Sequence, residues 1–120
     1  MTPPSRRRRA TQEFHAELYR EAAAIVQVEF ASPLTIESVA RRVASSPRQL
    51  RRVFSEAGET SFRAYLRGVR MARAAELLAS TDLSVAEIGR RVGYGQPSQF
   101  TKAFRRSRGT TPTEFRASRQ

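Results

Sequence analysis

The most restrictive feature of this 120-residue chain is a pattern of helix caps, prolines and apolar residues that occurs twice. A shift of 49 residues superimposes the first parts of the two copies, pairing Leu34 with Leu83, Thr35 with Ser84, Ile36 with Val85, Val39 with Ile88, Ala40 with Gly89, Arg41-Arg42 with Arg90-Arg91 and Val43 with Val92. After one extra residue the shift becomes 50, and it pairs Pro47 with Pro97, Gln49 with Gln99, Leu50 with Phe100 and Phe54 with Phe104. Chance rarely preserves caps, prolines and core residues together, so the sequence predicts a duplicated structural unit.

Each copy has the composition of two short helices joined by a tight turn. Helices that cross steeply over such a turn need a small residue at their contact, and Ala40 and Gly89 supply it. Four residues later, Ala44 and Gly93 lie at the turn, where a bulky side chain or a strictly negative φ is hardest to accommodate. We therefore predict two helix-turn-helix units. The predicted core residues of their second helices are Leu50, Phe54, Phe100 and Phe104.

A long linking helix is predicted between the two units, from Phe62 to Ser80, with Ser61 as its cap. Its apolar residues have the spacing of one buried stripe, formed by Phe62, Tyr65, Leu66, Val69, Ala72, Ala75 and Leu78. A helix of this length separates its ends by roughly 30 Å. Successive major-groove faces of B-DNA are ~34 Å apart. We therefore expect the helix to space the two units for adjacent major-groove segments.

Helix signals cover most of the remaining chain, and no strand pattern is present. Residues 1–10 are proline-rich and then basic without periodicity, which favours a disordered tail; a basic arm along DNA phosphates is the alternative. A leading helix is predicted from Thr11 to about Ala31, with Phe14 on its inward face. The predicted fold is all-α with about seven helices, organised as the tail 1–10, the leading helix and first unit 11–60, the linking helix 61–80, and the second unit and terminal helix 81–120.

Glycines and capping residues indicate where these helices begin and end. The sequence places capping boxes at Ser46, Ser84 and Thr111, each followed three residues later by Gln or Glu. Gly58 and Gly109 suit left-handed terminators of the two second helices.

The charge balance indicates a polyanionic partner. The chain carries 22 Lys and Arg against 11 Asp and Glu, a net charge of +11, and Lys102 is the only lysine. Such an excess favours nucleic acid first and an acidic membrane surface second. The planar fork of arginine also suits phosphates and guanine edges better than an ammonium group does.

The residue inventory argues against other classes of function. Cysteine is absent, which excludes disulfides, thiol nucleophiles and thiolate metal sites. His15 is the only histidine; it cannot build a zinc site of the usual kind, and we expect it at the surface. Paired-carboxylate, Ser/His/Asp and phosphate-loop signatures are missing, so we expect neither an enzyme nor a cofactor. No apolar run approaches the ~20 residues of a membrane span, and no signal peptide is recognisable, so we expect a soluble, cytoplasmic protein without a membrane partner.

The chain resembles the DNA-binding region of the AraC/XylS family of bacterial transcription regulators. The similarity covers about Leu34 to Arg116, and the fragments that carry it are SPRQLRRVF, YLRGVRMARAAELL, SVAEIGRRVGY, QFTKAFRR and GTTPTEFR. It implies two helix-turn-helix units joined by a long helix. It also implies a regulator at the bacterial nucleoid that binds double-stranded promoter DNA with both second helices in the major groove, with RNA polymerase as a further candidate partner.

Many members of this family carry an additional effector-binding or dimerisation domain. With some thirty residues ahead of the first unit, no such domain fits in this chain. A stand-alone member and a fragment of a larger regulator both remain open.

The recognition helices are predicted at about 47–57 and 97–108. Exposed positions on such a helix recur at three- and four-residue spacing opposite the core. In the first helix Arg48, Arg51 and Arg52 point outward, and they match base-reading positions of the family. A bidentate contact between arginine and guanine contributes ~1–3 kcal/mol of discrimination. Phosphate or solvent contact by one or two of them is the alternative.

In the second recognition helix the outward candidates for base contact are Ser98, Gln99, Thr101 and Lys102. Gln99 could pair with adenine, and Lys102 with guanine or phosphate. Pro97 stands where the family commonly has Gln, and proline cannot donate a hydrogen bond, so base reading and positioning both remain open for this helix. Candidate phosphate contacts in the two units are Ser46, Gln96, Arg105, Arg106 and Thr111.

Two different recognition helices in one chain remove the need for a palindromic site and a dimer, so we expect a monomer on DNA. The sequence-based function is a sequence-specific transcription regulator; a non-specific architectural or RNA-binding basic protein is the alternative. On the linking helix, Arg63, Arg67 and Arg70 share one face, and we expect them to be solvated or paired with neighbouring acids.

Overall fold

A computed structural model describes residues 6–119 of the chain. Within this range the chain forms seven α-helices and no strand, which confirms the predicted all-α fold. The helices are α1 (Arg6–Glu29), α2 (Ile36–Arg42), α3 (Pro47–Gly58), α4 (Phe62–Ser80), α5 (Val85–Arg91), α6 (Pro97–Arg108) and α7 (Pro112–Ser118).

The helices belong to two compact units. Unit 1 contains the described residues up to Val28 together with Leu34–Tyr65, and unit 2 contains Glu29–Pro33 and the described residues from Leu66 onward. Unit 1 therefore holds the pair α2 and α3, and unit 2 holds the pair α5 and α6. Helix α4 runs without a break through the boundary between Tyr65 and Leu66, which confirms the predicted continuous linking helix.

The two helix pairs repeat one another in detail. Helices α2 and α5 both have 7 residues, and α3 and α6 both have 12. In both turns the residue at the predicted position has a positive φ, 55° at Ala44 and 104° at Gly93. A Cβ atom on Gly89 would lie 3.0 Å from the ring of Phe100, so the helix crossing needs the small residue that the sequence predicts there.

The core of unit 1 is aromatic around Phe54, which is fully buried. The ring of Phe54 lies 5.2 Å from that of Tyr19 and 5.6 Å from that of Phe62, both in edge-to-face geometry. The other buried side chains of this unit are Leu18, Ala22, Val26, Val39, Ala40, Leu50 and Val53. Burial of this set fixes the inner face of α3 and leaves its opposite face in solvent.

The core of unit 2 forms between α4, α5 and α6. Its buried members are Met71, Ala74, Leu77, Leu78, Ile88, Val92, Phe100 and Phe104. The predicted single stripe on α4 is wrong in part, because Ala72 is exposed whereas Met71, Ala74 and Leu77 are buried. Helix α4 supplies residues to two separate clusters, so its buried positions do not follow one continuous periodicity.

Helix α1 begins earlier than predicted. It starts at Arg6 rather than Thr11, so the part of the predicted tail from Arg6 to Ala10 is helical; residues 1–5 lie outside the described residues. Arginine and alanine are good helix formers, but these turns bury nothing, so hydrophobic periodicity gave no signal. The predicted inward position of Phe14 is also wrong, since its side chain is 55% exposed.

Glycine is needed at position 58, the last residue of α3, for a different reason than predicted. The left-handed residue after the helix is Glu59, with φ of 52°, while Gly58 itself is helical. A Cβ atom on Gly58 would overlap the ring of Tyr19. Glycine is therefore required by the close approach of α1. At the end of α6, Gly109 has φ of 77° and is the left-handed terminator that the sequence predicts.

The predicted capping boxes form to different extents. Thr111 and Glu114 make both reciprocal bonds, with the Thr111 amide donating to the Glu114 carboxylate at 3.0 Å and the Glu114 amide to the Thr111 hydroxyl at 3.1 Å. At Ser46 only the hydroxyl accepts, from the Gln49 amide at 3.1 Å. The return bond is missing there because the Gln49 side chain accepts from the Ser45 hydroxyl instead.

Candidate nucleic-acid interface

Helix α3 presents an arginine-rich face opposite its buried residues. Its N-terminus is fixed by Ser46 as the N-cap and by Pro47 at the first helical position. Arg48, Arg51 and Arg52, the predicted base-contacting residues of this unit, are all exposed. The structure therefore brings the three guanidinium groups onto one solvent-facing surface of one rigid helix.

Two of these arginines are held by carboxylates of their own unit. Arg51 Nη2 lies 3.7 Å from an oxygen of Glu37 on α2, and Arg52 Nε lies 3.5 Å from an oxygen of Glu56. The side chains of Arg51 and Arg52 are 61% and 70% exposed. Such solvent-exposed ion pairs contribute only ~0–1 kcal/mol to stability. They therefore orient the guanidinium groups, and another anion can still replace the carboxylates.

His15 of α1 adjoins this arginine surface. Its Nδ1 atom lies 3.4 Å from the second carboxylate oxygen of Glu56, and its side chain is only 14% exposed. The predicted surface position of His15 is therefore wrong. Its spacing from the buried Leu18 and Ala22 places it on the inner face of α1, and that spacing was the sequence signal for its burial. An open depression of about 410 Å³ is lined by His15, Ser46, Arg48, Gln49 and Arg52.

Helix α6 presents a polar face of lower charge. Phe100 and Phe104 are buried, and the exposed residues of its first two turns are Pro97, Ser98, Gln99 and Lys102. Thr101 is half-buried, so it is less accessible than the other three predicted base-contacting residues of this helix. Helices α3 and α6 therefore have the same length and the same place in their units, but they carry different side chains at their exposed faces.

The predicted phosphate-contacting residues differ in how far their polar groups are already engaged. Gln96 is the exposed N-cap of α6, and its side chain makes no capping bond. The Ser46 hydroxyl accepts a capping bond, and both the amide and the hydroxyl of Thr111 are engaged by Glu114. The bonds between Thr111 and Glu114 lower the pKa of the Glu114 carboxyl, and the bond from the Thr111 backbone amide has the largest effect.

Arg105 and Arg106 are exposed in the last turn of α6. Positive charge at a helix C-terminus is favourable because it opposes the negative end of the helix dipole. These two arginines therefore stabilise α6 and also remain accessible to a phosphate.

The short helix α5 carries its own charge cluster. The Ser84 hydroxyl caps the helix by accepting from the Glu87 amide at 3.1 Å. The Glu87 side chain does not return that bond, because it pairs with Arg90 at 2.6 Å and Arg91 at 3.2 Å. Hydrogen bonds from Arg90 first and Arg91 second lower the pKa of the Glu87 carboxyl. The predicted capping box at Ser84 is therefore half formed.

Two arginines of unit 2 have structural partners that the sequence did not reveal. Arg70 donates to the carbonyl oxygen of Ser32 at 3.0 Å, so the prediction that it is solvated or paired with neighbouring acids is wrong. Arg116 donates to the carbonyl oxygens of Leu78 at 3.1 Å and Thr81 at 3.2 Å. Both arginines satisfy backbone carbonyls that follow or end a helix, which removes them from the set available to a ligand.

Among residues 6–119 no group of His, Asp and Glu side chains is arranged to hold a metal ion. Over the same range no helix has the length and apolar character needed to cross a lipid bilayer.

The fold and the exposed faces of α3 and α6 are those of a helix-turn-helix DNA-binding domain. The family model described as a helix-turn-helix domain matches residues 39–118 of the chain. The chain belongs to the AraC/XylS family of helix-turn-helix transcription regulators, whose members are DNA-binding regulators and not enzymes.

Individual relatives agree with this assignment. The chain is 39% identical over 100 residues to the uncharacterised HTH-type transcriptional regulator YpdC of Escherichia coli, an overlap that covers 83% of this chain and 35% of the relative. An AraC-type transcriptional regulator of Chromobacterium violaceum has a solved structure with a TM-score of 0.81 and 31% identity, covering 86% of this chain and 92% of that one. The DNA-binding domain of the global transcriptional factor AdpA, solved in complex with a target DNA, has a TM-score of 0.76 and 28% identity, covering 84% and 90%.

The chain spans about one third of the length of the curated relatives that it matches. The shared region is the DNA-binding domain.

Proposed function

We propose that this protein regulates transcription by binding a specific, asymmetric duplex site in promoter DNA. In this proposal α3 and α6 lie in adjacent segments of the major groove, and the unbroken α4 sets the spacing between them. The observation that carries the proposal is the duplication: each unit buries one face of its second helix and presents the opposite face, with different polar residues, to solvent.

Helix α3 is proposed to supply most of the sequence readout. Arg48, Arg51 and Arg52 each have a guanidinium group that can make two hydrogen bonds to guanine O6 and N7. The exposure of the three side chains and the weak pairing of two of them support this role. Glu37 and Glu56 are expected to hold Arg51 and Arg52 near the helix before DNA arrives, which lowers the entropy lost on binding.

Helix α6 is proposed to combine base reading with positioning. Gln99 can pair with adenine, Lys102 can reach guanine or phosphate, and Ser98 and Thr101 can bond to either. Pro97 provides no amide hydrogen for a bond to DNA. We therefore expect unit 2 to discriminate between bases less sharply than unit 1.

Phosphate contacts are proposed to supply most of the affinity. Ser46, Gln96 and the neighbourhood of Thr111 lie at helix starts, where backbone N–H groups favour anions, and Arg105 and Arg106 add charge at the end of α6. With a net charge of +11 the domain releases counterions on binding, so its affinity should fall steeply as salt rises. Deformation of the DNA would align the two groove segments with the spacing of the units.

The structural neighbour that is bound to a target DNA supports duplex DNA as the partner of this domain. Two unlike recognition helices in one chain support binding as a monomer to a non-palindromic site. RNA polymerase is the proposed further partner, and the bacterial cytoplasm is the proposed location, both on the strength of family membership.

Selection of binding sites from a random duplex pool tests this function, followed by measurement of affinity for the selected site and for random duplex at physiological salt. A specific regulator should prefer its site by a factor of ~10³ or more. A ratio near one would show a non-specific architectural protein and would refute the proposal. Tighter binding to RNA than to the selected duplex would refute it as well.

A further inference from the structure

We propose that His15 makes DNA binding by unit 1 sensitive to pH, because it holds and neutralises the Glu56 carboxylate that contacts Arg52. His15 is then a positioning residue: it acts on the exposed surface of α3 through Glu56 and reads no base itself. The inference rests on the proposed function, because it takes Arg52 as a residue that binds DNA.

The Glu56 carboxylate bridges two residues that belong to different helices. Its Oε1 atom lies 3.5 Å from Nε of Arg52, one turn earlier on α3, and its Oε2 atom lies 3.4 Å from Nδ1 of His15 on α1. The Arg52 side chain is 70% exposed, whereas that of His15 is only 14% exposed. His15 is therefore the better fixed of the two partners, and it determines where the carboxylate is held.

The position of His15 is set by the packing of α1 against α3. One turn after His15, the ring of Tyr19 lies 5.2 Å from that of Phe54 and close to Gly58. Residues four positions apart lie on the same side of a helix. The contacts of Tyr19 therefore also turn His15 toward α3.

The charged groups around His15 make its protonation sensitive to DNA. Glu56 favours a positively charged imidazole, whereas Arg48 and Arg52, which line the same open depression of about 410 Å³, oppose it. Tyr19 stays uncharged, since burial raises the pKa of its hydroxyl above the usual 10.0. Phosphates that approach the depression add negative charge, so bound DNA favours the proton on His15.

Proton binding at His15 and DNA binding at α3 should strengthen each other, because coupling between two ligands of one protein is reciprocal. Histidine is the side chain whose charge changes between about pH 5 and 8, and His15 is the only histidine of the chain. Protonated His15 cancels the charge of Glu56, which otherwise repels phosphates near the arginines. Arg52 keeps its contact with the other carboxylate oxygen. DNA binding should therefore tighten as the pH falls.

The test measures affinity for the selected site and for random duplex, by fluorescence anisotropy at constant salt, from about pH 8 to about pH 5.5. The variant His15→Asn removes the titrating group but keeps an amide nitrogen near the position of Nδ1. The matched control adds Ala24→His to His15→Asn, which moves the histidine to an exposed position on the opposite side of α1. The variant Glu56→Gln keeps His15 and removes the charge that it cancels. Far-UV circular dichroism verifies that each variant is folded.

Over this pH range the wild type should gain roughly fivefold in affinity for the selected site, at the lower end of couplings between two sites. Whatever its affinity at the highest pH, His15→Asn should gain less than about twofold, because its titrating imidazole is gone. The control with the moved histidine should behave like His15→Asn, and Glu56→Gln should gain less than half as much as the wild type. A purely structural role of His15 would instead weaken binding equally at every pH.

Calorimetry in two buffers of different ionisation enthalpy counts the protons that are taken up on binding. At about pH 6.5 the wild type should take up a fraction of one proton more than His15→Asn does. This difference excludes the α-amino group, which titrates near pH 8 and is the same in both proteins. If His15→Asn fails to fold, the pH profiles of the wild type and Glu56→Gln decide the question.

Four results would overturn the inference: a wild type whose affinity does not change with pH, His15→Asn or Glu56→Gln with the full gain, or a moved histidine that restores the gain. Each of these leaves the proposed function intact if the wild type still prefers its selected site over random duplex. A wild type without any such preference refutes the proposed function itself, and the inference with it.

Discussion

The Nε atom of Arg70 donates a hydrogen bond of 2.7 Å to the carbonyl oxygen of Phe30. Arg70 belongs to α4, and Phe30 follows α1, so this bond ties the segment after α1 to the linking helix within unit 2. The guanidinium carbon also lies 5.6 Å from the centroid of the Tyr94 ring, a cation–π distance. Arg70 therefore holds three parts of unit 2 together.

We expect Arg70→Met to destabilise unit 2 by about 1.5–3 kcal/mol, because two charge-assisted hydrogen bonds to backbone carbonyls are lost. Arg67→Met is the matched control, since Arg67 is exposed on the same helix, and its effect should lie within ~0.5 kcal/mol. Urea unfolding gives the free energy, and hydrogen exchange of the α5 and α6 amides shows whether the loss is confined to unit 2. Equal effects of the two variants would contradict the structural role.

Alanine substitutions at two helical glycines should change the stability of the protein in opposite directions. A Cβ atom on Gly58 would overlap the Tyr19 ring, whereas one on Gly68 would meet nothing within 4 Å. Gly58→Ala should therefore destabilise the protein by about 1–3 kcal/mol through overpacking. Gly68→Ala should stabilise it by about 0.5–1 kcal/mol through helix propensity. Thermal unfolding measures both, and a stabilising Gly58→Ala would show that α1 does not approach α3 this closely.

A pair of substitutions at Arg52 separates base reading from charge. Arg52→Lys keeps the charge but loses the planar fork, so at the selected site it should bind weaker by about 1–3 kcal/mol, nearly as much as Arg52→Ala. On random duplex Arg52→Lys should match the wild type, because a phosphate contact needs only the charge. Fluorescence anisotropy on both duplexes measures this difference. If Arg52→Lys also matches the wild type at the selected site, Arg52 is a phosphate contact.

The capping box of α7 should make stability depend on pH in a defined direction. The pKa of the Glu114 carboxyl lies below its usual value of 4.5, chiefly because the Thr111 backbone amide donates to it. A carboxyl group whose pKa is lower in the folded state stabilises the protein when it is ionised. This stabilisation is present above pH 4.5 and is lost as the pH falls through the folded-state pKa. Glu114→Gln cannot titrate, although its amide oxygen can still accept the bond.

The wild type should therefore be more stable than Glu114→Gln at neutral pH, and the difference should shrink as the pH is lowered below about 4.5. Melting temperatures of both proteins across this range provide the measurement. A difference that stays constant through acid pH would mean that the charge of Glu114 does not contribute to the cap.

Only part of the candidate site could be predicted from the sequence, because some of its residues follow from local helical spacing and others come from distant parts of the chain. The outward positions of α3 follow from helical spacing and the buried Leu50 and Phe54, so Arg48, Arg51 and Arg52 could be placed on one exposed face from the sequence. Their acidic neighbours could not all be found in this way: Glu37, which pairs with Arg51, belongs to another helix. His15 approaches the site from α1, more than thirty residues away along the chain.

The sequence by itself determined the duplicated helix-turn-helix pairs, the linking helix and the N-caps at Ser46, Ser84 and Thr111, because these depend on side chains within a few residues of one another. The tertiary structure alone decided which arginines are structural, since Arg70 and Arg116 find carbonyl partners 35 to 40 residues away. It also decided that Gly58 is needed against Tyr19. Such contacts depend on how helices pack, and one sequence contains no local signal for a partner that arrives from another helix.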